Sequence, residues 1–135
     1  MNLKGDVIEE SLTNKDVLGG LRIVSTRVEK VTEEHKTPWL KQWTLHTIEV
    51  PADEIEVLAE KLSHALEPNY WYVDFKNDFI HYVIFPNKIF KVNPKNPDEY
   101  KPAITYGVNL GIPFYQLEFS PDIVWDDEKP RSSEN

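Results

Sequence analysis

The sequence contains no cysteine. That excludes a disulfide scaffold, a thiolate metal site and a cysteine nucleophile, and it suits a reducing cytosol. No apolar run approaches the roughly 20 residues of a membrane-spanning helix. The first ten residues carry Lys4, Asp6, Glu9 and Glu10 instead of the apolar stretch of a secretory signal. The expectation is a cytoplasmic protein without a membrane partner. The GxSxG elbow, the P-loop, GxGxxG and HExxH are also missing, so nothing calls for a cofactor, and no metal site is expected. The acid pairs Glu9-Glu10, Glu33-Glu34 and Asp126-Asp127 are consecutive. On a strand such neighbours point to opposite faces, which makes them poor acid–base pairs.

Basic residues are in deficit. The chain has 15 Lys and Arg against 23 Asp and Glu, a formal net charge of −8. An acidic excess repels phosphate backbones, so no nucleic-acid partner is expected. The paired basic and aromatic motif of sheet-based RNA readers is absent as well. The acids concentrate in residues 49–67 and 118–135, whereas 70–102 is slightly basic through Lys76, Lys88, Lys91, Lys95 and Lys101.

Apolar residues make up 40% of the 135 positions, enough for one domain with its own core. The expected domain is 1–125, followed by a polar, disordered tail over 126–135. Residues 3–12 and 21–32 read as strands, the second with a bulge where its alternation changes parity. Between them Asn14 starts a short helical turn that Gly19-Gly20 stops. Residues 39–50 read as a strand pairing with 21–32. In 53–66, Ile55, Leu58, Ala59, Leu62, Ala65 and Leu66 recur at helical spacing. Residues 70–92 break into YWYVDF, FIHYVIF and KIFKV, with turn residues at 76–78 and 86–88. That predicts an antiparallel meander. The middle segment, 79–85, is apolar on both sides, so it belongs to a sheet covered on both faces or presents one face to a partner. Asn96, Pro97 and Glu99 spell a helix start, although Pro102 sets a second candidate start. Residues 113–119 read as an irregular docked segment. The fold class expected is α+β: an antiparallel sheet with two amphipathic helices, a ferredoxin-like βαβββα core preceded by an N-terminal β hairpin.

Candidate site residues come from the strands. His46 and His81 lie in predicted strands, and with Asp74 or Asp78 they could make a metal or acid–base cluster, although no pair has a tight ligand spacing and both read first as ordinary sheet residues. His35 and His64 read as solvated. Trp71 shares a face with Val73 and Phe75, which predicts core. Tyr70, Tyr72 and Asp74 then share the opposite face, an aromatic floor beside a polar group that suits a flat small molecule. Arg27 could take a carboxylate or phosphate bidentately, or it could guard an exposed strand.

The strings VIEESL, TPWLKQWTLHTIEV and WYVDF…HYVIF together resemble a family of small uncharacterised prokaryotic proteins. The resemblance spans most of the chain and implies a stand-alone cytoplasmic domain; it carries no activity and no site residues. Two readings of function stand. The first is a binding or interaction module, a homo-oligomer through the apolar second face of the sheet. The second is a small-molecule binder or enzyme with a site near Tyr70, Tyr72, His46 and His81.

Overall fold

The computed structural model describes residues 2–33, 40–68 and 70–123. His35, Trp39 and the 126–135 tail fall outside them. In chain order the elements are β1 (Leu3–Ile8), β2 (Arg22–Lys30), β3 (Gln42–Val50), α1 (Ile55–Ala65), β4 (Val73–Lys76), β5 (His81–Phe85), β6 (Lys88–Val92) and α2 (Lys101–Asn109). The strands form one sheet in the order β2-β3-β1-β4-β5-β6, with every neighbouring pair antiparallel.

This order departs from an N-terminal hairpin standing ahead of a ferredoxin-like core. Strands β1 and β2 do not pair. β1 lies between β3 and β4 instead, so β3, α1 and β4 form a crossover between parallel strands with β1 inserted. Burial explains the arrangement. Leu3 and Val7 of β1 are fully buried and need neighbours on both sides and a helix above. β2 is exposed from Arg22 to Val28, rich in charge, and suits an edge. Its expected pairing with β3 is present, and so is the bulge, between Ile23 and Ser25.

Each face of the sheet has its own core. Leu3, Val7, Ile48, Val50, Val73, Phe75, Tyr82 and Ile84 pack with Ile55, Leu58, Ala59 and Leu62 of α1. Val83, Phe85 and Val92 pack with Ala103, Ile104 and Val108 of α2 on the other side. Strand β5 is therefore buried at every residue, because alternate side chains enter alternate cores. Of the two options the sequence left for this strand, a sheet covered on both faces is the one observed. Phe79 departs from expectation. It lies in the turn before β5 and is exposed, since the Asn77 side chain accepts from the Phe79 and Ile80 amides at 2.8 and 2.9 Å and holds both out of the ladder.

Turn chemistry accounts for the connections. Asn14 caps its turn by accepting from the Asp16 amide at 2.9 Å. Pro86-Asn87 joins β5 to β6, with Asn87 at φ 60°, the proline-first, positive-φ-second pattern of a type II turn. Ser63 of α1 donates to the Phe85 carbonyl at 3.0 Å and its own carbonyl accepts from Asn87 at 3.1 Å, tying helix to hairpin. Helix α2 begins at Lys101 after a 3₁₀ turn over Pro97–Tyr100. Pro102 cannot donate back to residue 98, so a continuous α-helix from Pro97 would lack that bond. At the second position of α2 no bond is required.

Gly5 marks the closest approach in the sheet. β1 and β4 share a single ladder pair, Lys4 with Lys76. A Cβ on Gly5 would lie 2.0 Å from the Asp74 carbonyl oxygen and 2.9 Å from a Phe75 ring carbon. Backbone cannot yield that distance without parting the strands. Gly5→Ala is therefore expected to cost about 3 kcal/mol, or roughly 10 °C in Tm, measured by thermal unfolding.

Candidate functional site

Past the Lys4–Lys76 pair the α2 side of the sheet opens into a groove of about 410 Å³. β1 contributes Asp6 and Ile8, and β3 contributes Trp43 and Leu45. The segment leading into β4 brings Tyr70, Trp71 and Tyr72, and β4 itself brings Asp74; Tyr115 and Gln116 form the far wall. That wall belongs to the docked segment after α2, where Leu117 is fully buried and the Gln116 carbonyl accepts from the Tyr72 hydroxyl at 2.5 Å. Tyr70 sits at φ 67°, in the left-handed region. A Cβ on Gly111, itself at φ 95°, would meet the Tyr70 ring at 3.0 Å, so the missing side chain makes room for that ring.

Two carboxylates face this groove. Asp6 is held by Thr47, whose hydroxyl donates at 2.5 Å, and by Arg27, whose guanidinium donates at 3.3 Å. Asp74 accepts from His81 Nε2 at 2.6 Å while its side chain stays 36% exposed. His81 is only 2% exposed. Its Nδ1 lies 2.8 Å from the Tyr100 hydroxyl. An ionised carboxylate only accepts, so Nε2 carries a proton, and in the neutral imidazole Tyr100 donates to Nδ1. Tyr100 and Phe119 meet the imidazole edge-on at 5.4 and 5.5 Å. The result is a Tyr100–His81–Asp74 chain that runs from the second core to the groove, and Asp74 is the member with an exposed end.

The six residues singled out from the sequence are thus distributed unequally. Tyr70, Tyr72 and Asp74 line the groove. His81 stands directly behind Asp74, and Arg27 reaches the groove only through Asp6. His46 is on the opposite face of the sheet, bonded to Thr26 at 2.8 Å and 3.3 Å from Glu9, because its register partner Val7 points into the α1 core. His64 is an exposed residue of α1. Trp71 is buried as expected and packs against Trp43, ring centroids 5.6 Å apart. Sequence reasoning missed Asp6, Tyr100, Tyr115 and Gln116. Tyr100 sits on the buried stripe that leads into α2, where it reads as core filling. Asp6 hides beside the adjacent Val7 and Ile8, which blur the strand's alternation.

Among the described residues no group of three or more histidines and acids could hold a metal ion, and no helix is long and apolar enough to cross a membrane. Comparison with protein-family models, curated proteins and solved structures returns no match.

Two outcomes follow from the buried hydroxyls. Tyr100→Phe leaves His81 Nδ1 buried without its partner and is expected to lower stability by about 1–3 kcal/mol, read from urea unfolding. Burial first, and then the Asp74 charge, push the phenols of Tyr72 and Tyr100 above their ordinary value of 10.0. The folded state therefore favours the neutral phenol. That stability is complete below the unfolded pKa and is lost as pH rises toward the folded one. The urea midpoint should fall above about pH 10, with a shallower pH slope in Tyr72→Phe.

Proposed function

We propose that this protein is a small binding module whose ligand is an organic cation, an amine or guanidinium on an apolar or aromatic frame, held in the groove on the α2 side of the sheet. The observation that carries this reading is the pair of carboxylates, Asp6 and Asp74, on the floor of a groove walled by Trp43, Tyr70, Tyr72 and Tyr115. Its volume of about 410 Å³ falls within the range of small-molecule sites. Aromatic faces attract a cation that a carboxylate anchors. Arg27 offsets one of the two negative charges through Asp6, so an anionic ligand would still meet net repulsion.

Binding is favoured over catalysis because His81 has both ring nitrogens engaged and almost no exposure. Acid–base work on a ligand would fall to Asp74 alone. It is also favoured over a dimer through the sheet face, since α2 covers the second side of β5.

The test is titration with benzylamine and phenylguanidinium, followed by tryptophan fluorescence, with benzoate and benzyl alcohol as controls. The two cations are expected to bind and the controls to bind at least about tenfold more weakly. Asp74→Asn keeps the shape and an acceptor for His81 and should weaken the cations about tenfold. Equal binding of benzylamine and benzoate, or an unchanged affinity in Asp74→Asn, would overturn the reading.

A further inference from the structure

The groove leaves the far edge of the sheet unexplained. Among the described residues β2 is hydrogen-bonded to β3 alone, and it is exposed at every residue from Arg22 to Val28. Three of the large apolar side chains left in solvent, Ile23, Val24 and Val28, lie on it, at 41%, 43% and 59% exposure. The opposite edge is different: β6 buries Val92 and half-buries Ile89 and Phe90. An edge that presents unpaired backbone groups and β-branched side chains is a template for another strand.

We propose that β2 pairs antiparallel with β2 of a second copy of this chain, joining two sheets into one. The strand's own register is self-complementary in this pairing. Val24 is the extra residue of the bulge, so the ladder runs Arg22, Ile23, Ser25, Thr26, Arg27, Val28, Glu29. A two-fold axis through Thr26 sets Thr26 against its copy, Ser25 against Arg27, Ile23 against Val28 and Arg22 against Glu29. Every facing pair then lies on the same side of the sheet. Ile23, Thr26 and Val28 share the α1 side; Arg22, Ser25, Arg27 and Glu29 share the groove side. The symmetry repeats each unlike pair, giving two Ile–Val contacts and two Arg–Glu ion pairs, the combinations that stabilise neighbouring strands. Arg27 is held within its own chain by Asp6 and by Glu29, each at 3.3 Å, and Arg22 lies 4.0 Å from Glu49, so each cross-chain Arg–Glu pair adds a second partner to charges already engaged on the same side of the sheet. The pairing is isologous and consumes both β2 edges, so it closes as a dimer and cannot grow into a filament.

Light scattering and equilibrium sedimentation test this. The wild-type chain is expected at twice its 15.8 kDa mass. Arg22→Glu and Glu29→Arg each turn both ion pairs into repulsions and should weaken the dimer about ten- to a hundredfold. An equimolar mixture of the two single variants should dimerise again, because the reversed charge of one meets the reversed partner of the other. The double variant R22E/E29R, complementary to itself, should match the wild type. A monomeric wild type at high concentration overturns the proposal. So does a single variant that dimerises as the wild type does, or a mixture that stays monomeric. None of these results bears on cation binding, which the Asp74→Asn titration reads separately.

Discussion

A polar ring on a strand with no wet face is the constraint around which the α2 side of this protein is arranged. β5 is covered by α1 on one side and α2 on the other, and His81 begins it. An imidazole removed from water without partners costs on the order of 1–3 kcal/mol for each unmet group. Both nitrogens must therefore be answered from inside the protein. Asp74 answers one from the adjacent strand, and Tyr100 answers the other from the turn that leads into α2. Meeting the requirement has two consequences. It fixes where α2 starts relative to the sheet, and it turns Asp74 so that one oxygen is engaged while the carboxylate still meets solvent. Among the described residues no buried side-chain nitrogen or oxygen lacks a partner.

The placement of β1 determines what that carboxylate faces. β1 and β4 touch through one ladder pair, and the Asp74 carbonyl comes against Gly5. Beyond that point Asp6 and Ile8 line one side of the groove, while Tyr72 and Asp74 line the other. A larger residue at position 5 would separate the strands at the place where they must be closest. A glycine in a strand usually weakens it; here the lost propensity is offset by a contact no other residue permits.

Much of the fold can be read from residue order, and the exceptions have physical causes. The α1 stripe, the β2 bulge, the turns at Asn14 and Pro86-Asn87 and the double-sided burial of β5 all follow from local pattern, because each depends on neighbours a few positions away. Strand order does not. Nothing local in residues 3–8 says that they will pair with residues 45–50 and then with β4. That choice is made by comparing burial across the whole sheet: β1, whose Leu3 and Val7 are fully buried, takes the centre, while the exposed β2 takes the rim. The site divides in the same way. Tyr72 and Asp74 are legible because alternation into β4 sets a shared face, whereas Tyr70, ahead of the strand at φ 67°, reaches the groove through a left-handed bend. His46 is misplaced by that logic, since its face depends on the register with β1. Tyr100, Tyr115 and Gln116 reach the site through tertiary contacts of residues that look like core and coil.

The groove is consequently a property of the complete fold. Its lining comes from β1 near the start of the chain, from β3 and β4 in the middle, and from the segment after α2. No contiguous part of the sequence contains it, and its contacts join segments far apart in the chain. A ligand held there bridges segments that separate on unfolding, so it binds the folded state alone and stabilises it by mass action. Occupancy should register as a shift of the global transition, not as the ordering of one loop. The same dependence explains why the Tyr100–His81–Asp74 chain matters to a site it touches only at one end. It holds Asp74, the start of α2 and, through Phe119, the far wall in a single register, so the aromatic walls and the carboxylates keep their spacing whether or not a cation is present.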